Sequence, residues 1–487
     1  MSLLKKLTSN PRTLIFLSFI VLHLIFLNIN IAEWGDTYRI LRASEHVREG
    51  SYPTNEKRPP LFSTLLAIRP KNVDPILWGR GVMLGISFLT LWFFDKLNDK
   101  LQFPNDKKIL ALLLFILNPV LLYWSLRIYA DIPFLLFTLI AFYLFYNRNH
   151  PGLIGIVVGL ATLTRFEGYL LGFAIGLHFL IQKNWKYLIY FGMASLITLL
   201  PWFMFRNPLT SSYFEEPANR VYNFKMLWTY FASLVFAFGF VSATGLLNFK
   251  KVSKKHFGII VFVILDLLLA LLWPAAIPRL LVPVLPFLII LIADGVGNHF
   301  KTSRKNLLFV ILNLTLLIFF IVSQYFLKLQ FLILFKYVFL VVVILQIFVL
   351  GALYFKKKHL FFGLVTASML TWSISTIILH KDIFIAVKNG AEYAAKNTTG
   401  KIAYNDVSSV SDWYLKDRGF YLNLDVKENR EYTTLLEKDV DFLLITNEHN
   451  PTMELDIVKR PYLGEVKEFR YNVRGTEFFT KIIEVRK

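Results

Sequence analysis

The sequence contains no cysteine. It therefore supports neither a disulfide framework nor a thiolate metal site, and its redox compartment stays open. Charge is scarce as well: only 18% of residues are Asp, Glu, Lys or Arg, against about a quarter in a soluble globular chain. Acids are scarcer than bases, 33 against 53, for a net charge of +20. That excess is not gathered into a patch for nucleic acid. The bases fall mainly between hydrophobic runs, as the positive-inside rule expects of a membrane protein, so no nucleic-acid partner is expected. A Gly-rich phosphate loop is missing from the polar C-terminal region, and no nucleotide is assigned to it.

What is abundant is apolar sequence. The 487 residues are 55% hydrophobic and include 47 Phe, with a mean hydropathy of +0.52. Runs of roughly 17 to 25 apolar residues, the length that crosses a bilayer, recur from residue 13 to about 380. The first run, Thr13 to Ala32, has no acid, Lys or Arg. It is too long for the core of a cleaved signal peptide and lacks a small-x-small site, so it reads as a retained helix.

Hydropathy predicts a multi-pass chain of about thirteen transmembrane helices. They fall near 13–32, 75–95, 108–126, 131–147, 152–165, 168–182, 187–205, 226–248, 257–273, 279–297, 305–325, 332–355 and 360–380. The fifth and sixth are short and read equally as one interrupted helix. A cytoplasmic N-terminus places the Lys96/Lys100/Lys107/Lys108, Lys183/Lys186, Lys250/Lys251/Lys254/Lys255, Lys301/Arg304/Lys305 and Lys356/Lys357/Lys358 clusters inside. The odd number of spans then puts the C-terminal region outside. Residues 1–382 form the polytopic domain, with 33–74 as its first outer loop, and 383–487 an extracytoplasmic α/β domain. In the latter, "KIAYND" and "DFLLIT" read as strands, and residues 408–416 and 429–438 have helical patterns. "EVKEFRYNVRGTEFFTKIIEV" reads as a hairpin turning at Arg474-Gly475.

The first outer loop breaks the charge rule, because it is long and rich in cations. Between Thr37 and Arg48, Tyr38, Leu41 and Val47 recur near helical spacing beside Ile40 and Ala43. That pattern predicts an amphipathic helix on the membrane surface. Pro59-Pro60 is expected to hold the chain extended before it re-enters apolar sequence.

Asp36 sits a few residues past the first span, where a lowered dielectric would raise its basicity towards that of a general base. The plainer reading is a solvated carboxylate neutralised by Arg39. In "EKRPPL", Glu56 precedes Lys57 and Arg58. A planar guanidinium beside a point charge suits a phosphate, although interface cations commonly anchor to headgroups. Arg127, Asp131, Arg165, Glu167 and Arg279 each occupy a very short outer turn. Charges held there line a shared cavity or cap and snorkel at the interface. Asp266 lies inside "VFVILDLLLALL", as an intramembrane functional acid or a partner for a neighbouring helix. All the outer charges fall on the side of Asp36, which suits a lipid-anchored anionic substrate.

With those motifs in place, the chain resembles the GT-C superfamily of polytopic glycosyltransferases. The protein O-mannosyltransferase and lipid A aminoarabinose transferase branches come nearest. The likeness rests on "EWGDTYRILRASE", "KRPPL", "NPVLLYWSLRIYADIPFLLF", "GIVVGLATLTRFEGYLLG" and "PRLLVPVLPFLIILIADG". It implies that Asp36 is the catalytic acid/base, with Arg39 beside it. Arg58, next to Lys57, would contact lipid phosphate, Asp131 would be a second acid, and Arg279 would open a late span. Where many relatives carry Asp-Glu or Asp-Asp, this chain has Gly35-Asp36-Thr37, so a second adjacent carboxylate and a metal site are not carried over. No cofactor is expected, with a divalent ion left open.

The resulting expectation is an inverting glycosyltransferase of the cell membrane using a polyprenyl-phosphate sugar donor at the outer face. Its catalytic residues would be Asp36 and Asp131. Lys57, Arg58, Arg165 and Arg279 would serve the donor phosphate, with Arg39 and Glu56 as further candidates. The acceptor would be a hydroxyl of a protein, lipid or polysaccharide. A glycolipid transporter or flippase is the alternative. Transporters place ionisable groups at the midplane and often carry inverted repeats, of which only Asp266 is visible. A membrane scaffold is a third reading and leaves the first-loop charges unexplained.

Overall fold

The computed structural model describes residues 10–54, 56–205, 227–228, 256–273, 278–300, 306–325, 336–424, 426–448, 460–473 and 476–487. The described residues are mainly helical, with a small mixed sheet. It divides into two compact units: Met1–Leu27 with Thr54–Thr376, and Asn28–Pro53 with Ile377–Lys487.

The first unit is a bundle of apolar helices. Several open on the same device, a capping side chain followed by proline at the first helical position, where the missing N–H is no loss. Asn10 Oδ1 accepts from Arg12 N at 3.0 Å, Asp74 Oδ1 from Leu77 N at 2.8 Å, and Asn118 Oδ1 from Val120 N at 3.0 Å. The Asn118-Pro119 cap breaks the span expected at 108–126. Asn105–Ile116 and Pro119–Ser125 are separate helices meeting at 55°. The fifth and sixth expected spans are likewise two helices, Pro151–Thr162 and Gly168–Ile181, packed on each other rather than one interrupted rod. A Cβ on Gly168 would collide with the Thr162 backbone, so glycine permits that tight reversal.

Among the described residues, three helical stretches are long and apolar enough to cross a membrane: Pro75–Lys100, Trp185–Phe205 and Lys358–Asn397. Counting the bent pair as one span makes four. Other expected spans are shorter apolar helices, such as Pro11–Phe26, Asp131–Tyr146 and Phe257–Leu272. A helix of 16 residues covers about 24 Å, less than the hydrocarbon core. Residues 226–248 lie almost wholly outside the described residues.

The second unit is built on a five-stranded sheet in the order β2-β1-β3-β5-β4. Its strands are β1 (Ile402–Tyr404), β2 (Gly419–Tyr421), β3 (Phe442–Thr446), β4 (Leu463–Val473) and β5 (Thr476–Val485). β1 runs parallel to β2 and β3, while β5 is antiparallel to β3 and β4. Strand alternation sorts the core into two faces. Leu443, Ile445, Ile483 and Val485 pack with Leu424, Leu435 and Val440 on one side. Leu444, Ile482, Ile402 and Tyr404 pack on the other with Ala391 and Ala394. These alanines belong to a helix, Ile385–Asn397, that the sequence reading left unassigned. The expected strands and the 408–416 and 429–438 helices are present, the latter as Val410–Leu415 and Tyr432–Glu437. The turn at Arg474-Gly475 lies outside the described residues.

Candidate active site

In the helical unit, the end of Pro151–Thr162 and the starts of Asp131–Tyr146 and Gly168–Ile181 bring an acid cluster around one guanidinium. Arg165 Nη1 donates to Asp131 Oδ1 at 2.7 Å, its Nε donates to Glu167 Oε1 at 3.1 Å, and its Nη2 also pairs with Glu167. Asp131 is 0% exposed and Glu167 7%. Asp266, 2% exposed, lies within electrostatic range of Glu167, Arg165 and Asp131. Asp131 Oδ2, Glu167 Oε2 and Asp266 Oδ2 have no hydrogen-bond partner among the described residues. Glu167 and Asp266 both line a cavity of about 400 Å³, otherwise walled by apolar and aromatic groups including Phe166, Tyr169 and Trp273. Such placement of acids costs solvation that only partners or an occupant offset.

Two further expected site elements contact the chain next to this cluster. The Leu61 N–H donates to Leu163 O at 2.9 Å, which ties the "KRPPL" segment to the turn carrying Arg165. Pro60 has ψ −17° and caps the Leu61–Ala67 helix, so the expected extended conformation does not hold at Pro60. Arg58 is half-buried, and its backbone N–H and Nη1 both donate to Glu56 Oε1 at 2.9 Å. Glu56 thus orients Arg58, while the adjacent Lys57 is half-buried. Arg279 stacks over the Tyr129 ring at 5.0 Å, two residues from Asp131. Arg127 covers Tyr123 at 4.6 Å. A guanidinium over an aromatic face keeps its charge while its plane is fixed.

The second unit contains Asp36 and Arg39. Asp36 is half-buried in the first turn of the Gly35–Arg48 helix, where the helix end favours negative charge. The apolar face expected on a membrane surface is covered by protein: Tyr38, Ile40, Leu41 and Ala43 are all buried. Tyr38 packs on Trp413 and Tyr414, with ring centroids 6.1 and 5.8 Å away. Arg39 Nε donates to Ser409 Oγ at 2.7 Å, and Arg42 pairs with Asp412. Sequence reading missed these loop partners. "NDVSSVSD" does carry the Asx/Ser signature of a self-bonded turn, but nothing in it names the helix it touches. It also missed Glu448, whose carboxyl is pushed up to about 9 by burial and the nearby Asp406 carboxylate. No group of three His, Asp or Glu spaced to hold a metal occurs among the described residues.

No protein-family profile and no curated protein sequence matches the chain. Solved structures do. ArnT from Cupriavidus metallidurans bound to undecaprenyl phosphate aligns with a TM-score of 0.61 at 12% identity, over 96% of this chain and 97% of that one. Apo ArnT aligns with a TM-score of 0.64 at 12% identity, over 97% and 98%. The mycobacterial arabinofuranosyltransferase AftD aligns with a TM-score of 0.55 at 11% identity, over 97% of this chain but only 40% of its own. Over nearly its whole length, the chain shares the fold of these solved structures.

Proposed function

We propose that the protein is a multi-pass membrane glycosyltransferase that moves a sugar from a polyprenyl-phosphate donor to an acceptor hydroxyl, with inversion, at the outer membrane face. The observation that carries this reading is the end-to-end fold likeness to ArnT, whose structure holds undecaprenyl phosphate. The chemistry of the residues fits it. Asp36 removes the proton as the acceptor oxygen attacks the anomeric carbon. The new C–O bond forms as the bond to the phosphate oxygen breaks, and the electron pair leaves on polyprenyl phosphate. Lys57, Arg58 and Arg279 stabilise the charge that builds there. Arg165 is engaged by Asp131 and Glu167, so it acts through holding Asp131. In this account the N-terminus is cytoplasmic, and the 383–487 region is extracytoplasmic.

The rival reading is glycolipid transport, and the observation that favours it is Asp266, an acid buried within an apolar helix and lining a cavity. One experiment separates the two. Purified protein in nanodiscs, given polyprenyl-phosphate-linked sugars and an acceptor panel, is expected to release free polyprenyl phosphate. Absence of release, with donor translocated across proteoliposomes of the same protein, would establish transport instead. Glycoconjugates extracted from a deletion strain would identify sugar and acceptor by the one residue they lack.

A further inference from the structure

We infer that the 405–412 loop of the C-terminal α/β region is a positioning device for Asp36, with Arg39 and Arg42 as positioning residues. The inference rests on Asp36 being the base. The Gly35–Arg48 helix starts at Trp34 without a side-chain cap. A base must hold its geometry closely to accept a proton in the transition state. A constraint on the helix that carries Asp36 is therefore part of the base's geometry.

It comes from one loop, at three successive points along the helix. A Cβ at Gly35 would collide with the Ser408 carbonyl, so only glycine lets the two backbones meet beside Asp36. Three residues beyond Asp36, Arg39 donates to Ser409 Oγ at 2.7 Å and to Val407 O at 3.5 Å. Three further on, Arg42 pairs with Asp412. Positions three apart share a helix face, so Asp36, Arg39 and Arg42 form one stripe along the loop.

The loop is bonded within itself. Asp406 is buried, accepting from Ser408 N at 2.7 Å and from Ser411 N at 2.9 Å, and Ser408 Oγ also bonds to it. Ser409 has φ 66°, a conformation that persists only where its surroundings impose it. Asp412 also accepts from Tyr404 Oη at 3.5 Å, linking the pin to β1. Arg39 and Arg42 thus spend their charge on holding the helix rather than on a lipid phosphate.

The test is a set of variants of the full-length protein, assayed for donor turnover at a temperature where each is folded. Arg42→Ala and Ser409→Ala are expected to lower kcat by about 10- to 100-fold, the cost of displacing a catalytic group, while donor KM is unchanged. The charge swap Arg42→Asp/Asp412→Arg is expected to recover most of kcat. Combined with Asp36→Asn, Arg42→Ala should give no further loss. An inactive Asp36→Asn together with full kcat in Arg42→Ala and Ser409→Ala would overturn the positioning role alone. Normal transfer by Asp36→Asn would overturn the base assignment, and this inference with it.

Discussion

Arg165 and Asp131 lie 34 positions apart in sequence and join at 2.7 Å in a part-buried ion pair. Glu167 shares the same guanidinium. Removing the cation leaves two buried carboxylates without compensation, which typically costs about 3–5 kcal/mol. Arg165→Ala is therefore expected to lower the thermal midpoint in detergent sharply. Arg165→Lys should recover only part of the loss, because a single ammonium replaces the separately placed Nε, Nη1 and Nη2 donors that serve the two acids. Unchanged midpoints in both variants would show that the cluster contributes nothing to stability.

Glu56 Oε1 accepts from both the backbone N–H and Nη1 of Arg58. For a phosphate contact that needs the guanidinium plane, Arg58→Ala should weaken donor use more than Arg58→Lys. Glu56→Gln should show an intermediate effect by loosening the fork. Unaltered donor turnover in a Lys57→Ala/Arg58→Ala double variant would make these residues interface anchors.

The legibility of this chain followed the range of the interaction concerned. Strands β3 and β5 were readable because each carries a short apolar run with turn-forming residues beside it, a local signal. The Gly35–Arg48 helix was readable from its apolar spacing. The Asn118-Pro119 break was written in the sequence but overridden by continuous hydropathy across it, which carries no information on helix direction. The partners of Arg39 and Arg42 lie 370 residues away, and one sequence cannot report a pairing at that separation. The Arg165 cluster shows the same limit. Each charge was visible as a helix-end residue, whereas their convergence depends on how three helices pack.

Glu448 supplies a pH dependence. Burial and Asp406 raise its pKa from 4.5 to about 9. The folded protein therefore holds a proton at Glu448 that the unfolded chain releases above about pH 4.5. This contribution is fully present below that value and is lost as pH rises towards 9. Thermal melts of the full-length protein should show a midpoint declining across this window, and Glu448→Gln should flatten the decline. An equal slope in both proteins would assign the dependence to other groups.

The absence of native cysteine makes topology directly measurable. A cysteine introduced at the exposed Ser51 should react with a membrane-impermeant maleimide in intact cells, and one at Ser2 should react only after lysis. The reverse pattern would invert the orientation and move the proposed chemistry to the cytoplasmic face.

The central claim is that Asp36 is the base. A hydroxyl is a weak nucleophile at neutral pH, and a positioned base contributes about 10² to 10⁴-fold. Asn keeps the size of Asp36 but cannot take the proton. The decisive measurement is the transfer rate of purified Asp36→Asn with a defined polyprenyl-phosphate sugar, alongside its donor binding. The account expects a fall in kcat of about 10² to 10⁴-fold with donor binding retained. Transfer at the wild-type rate would contradict it.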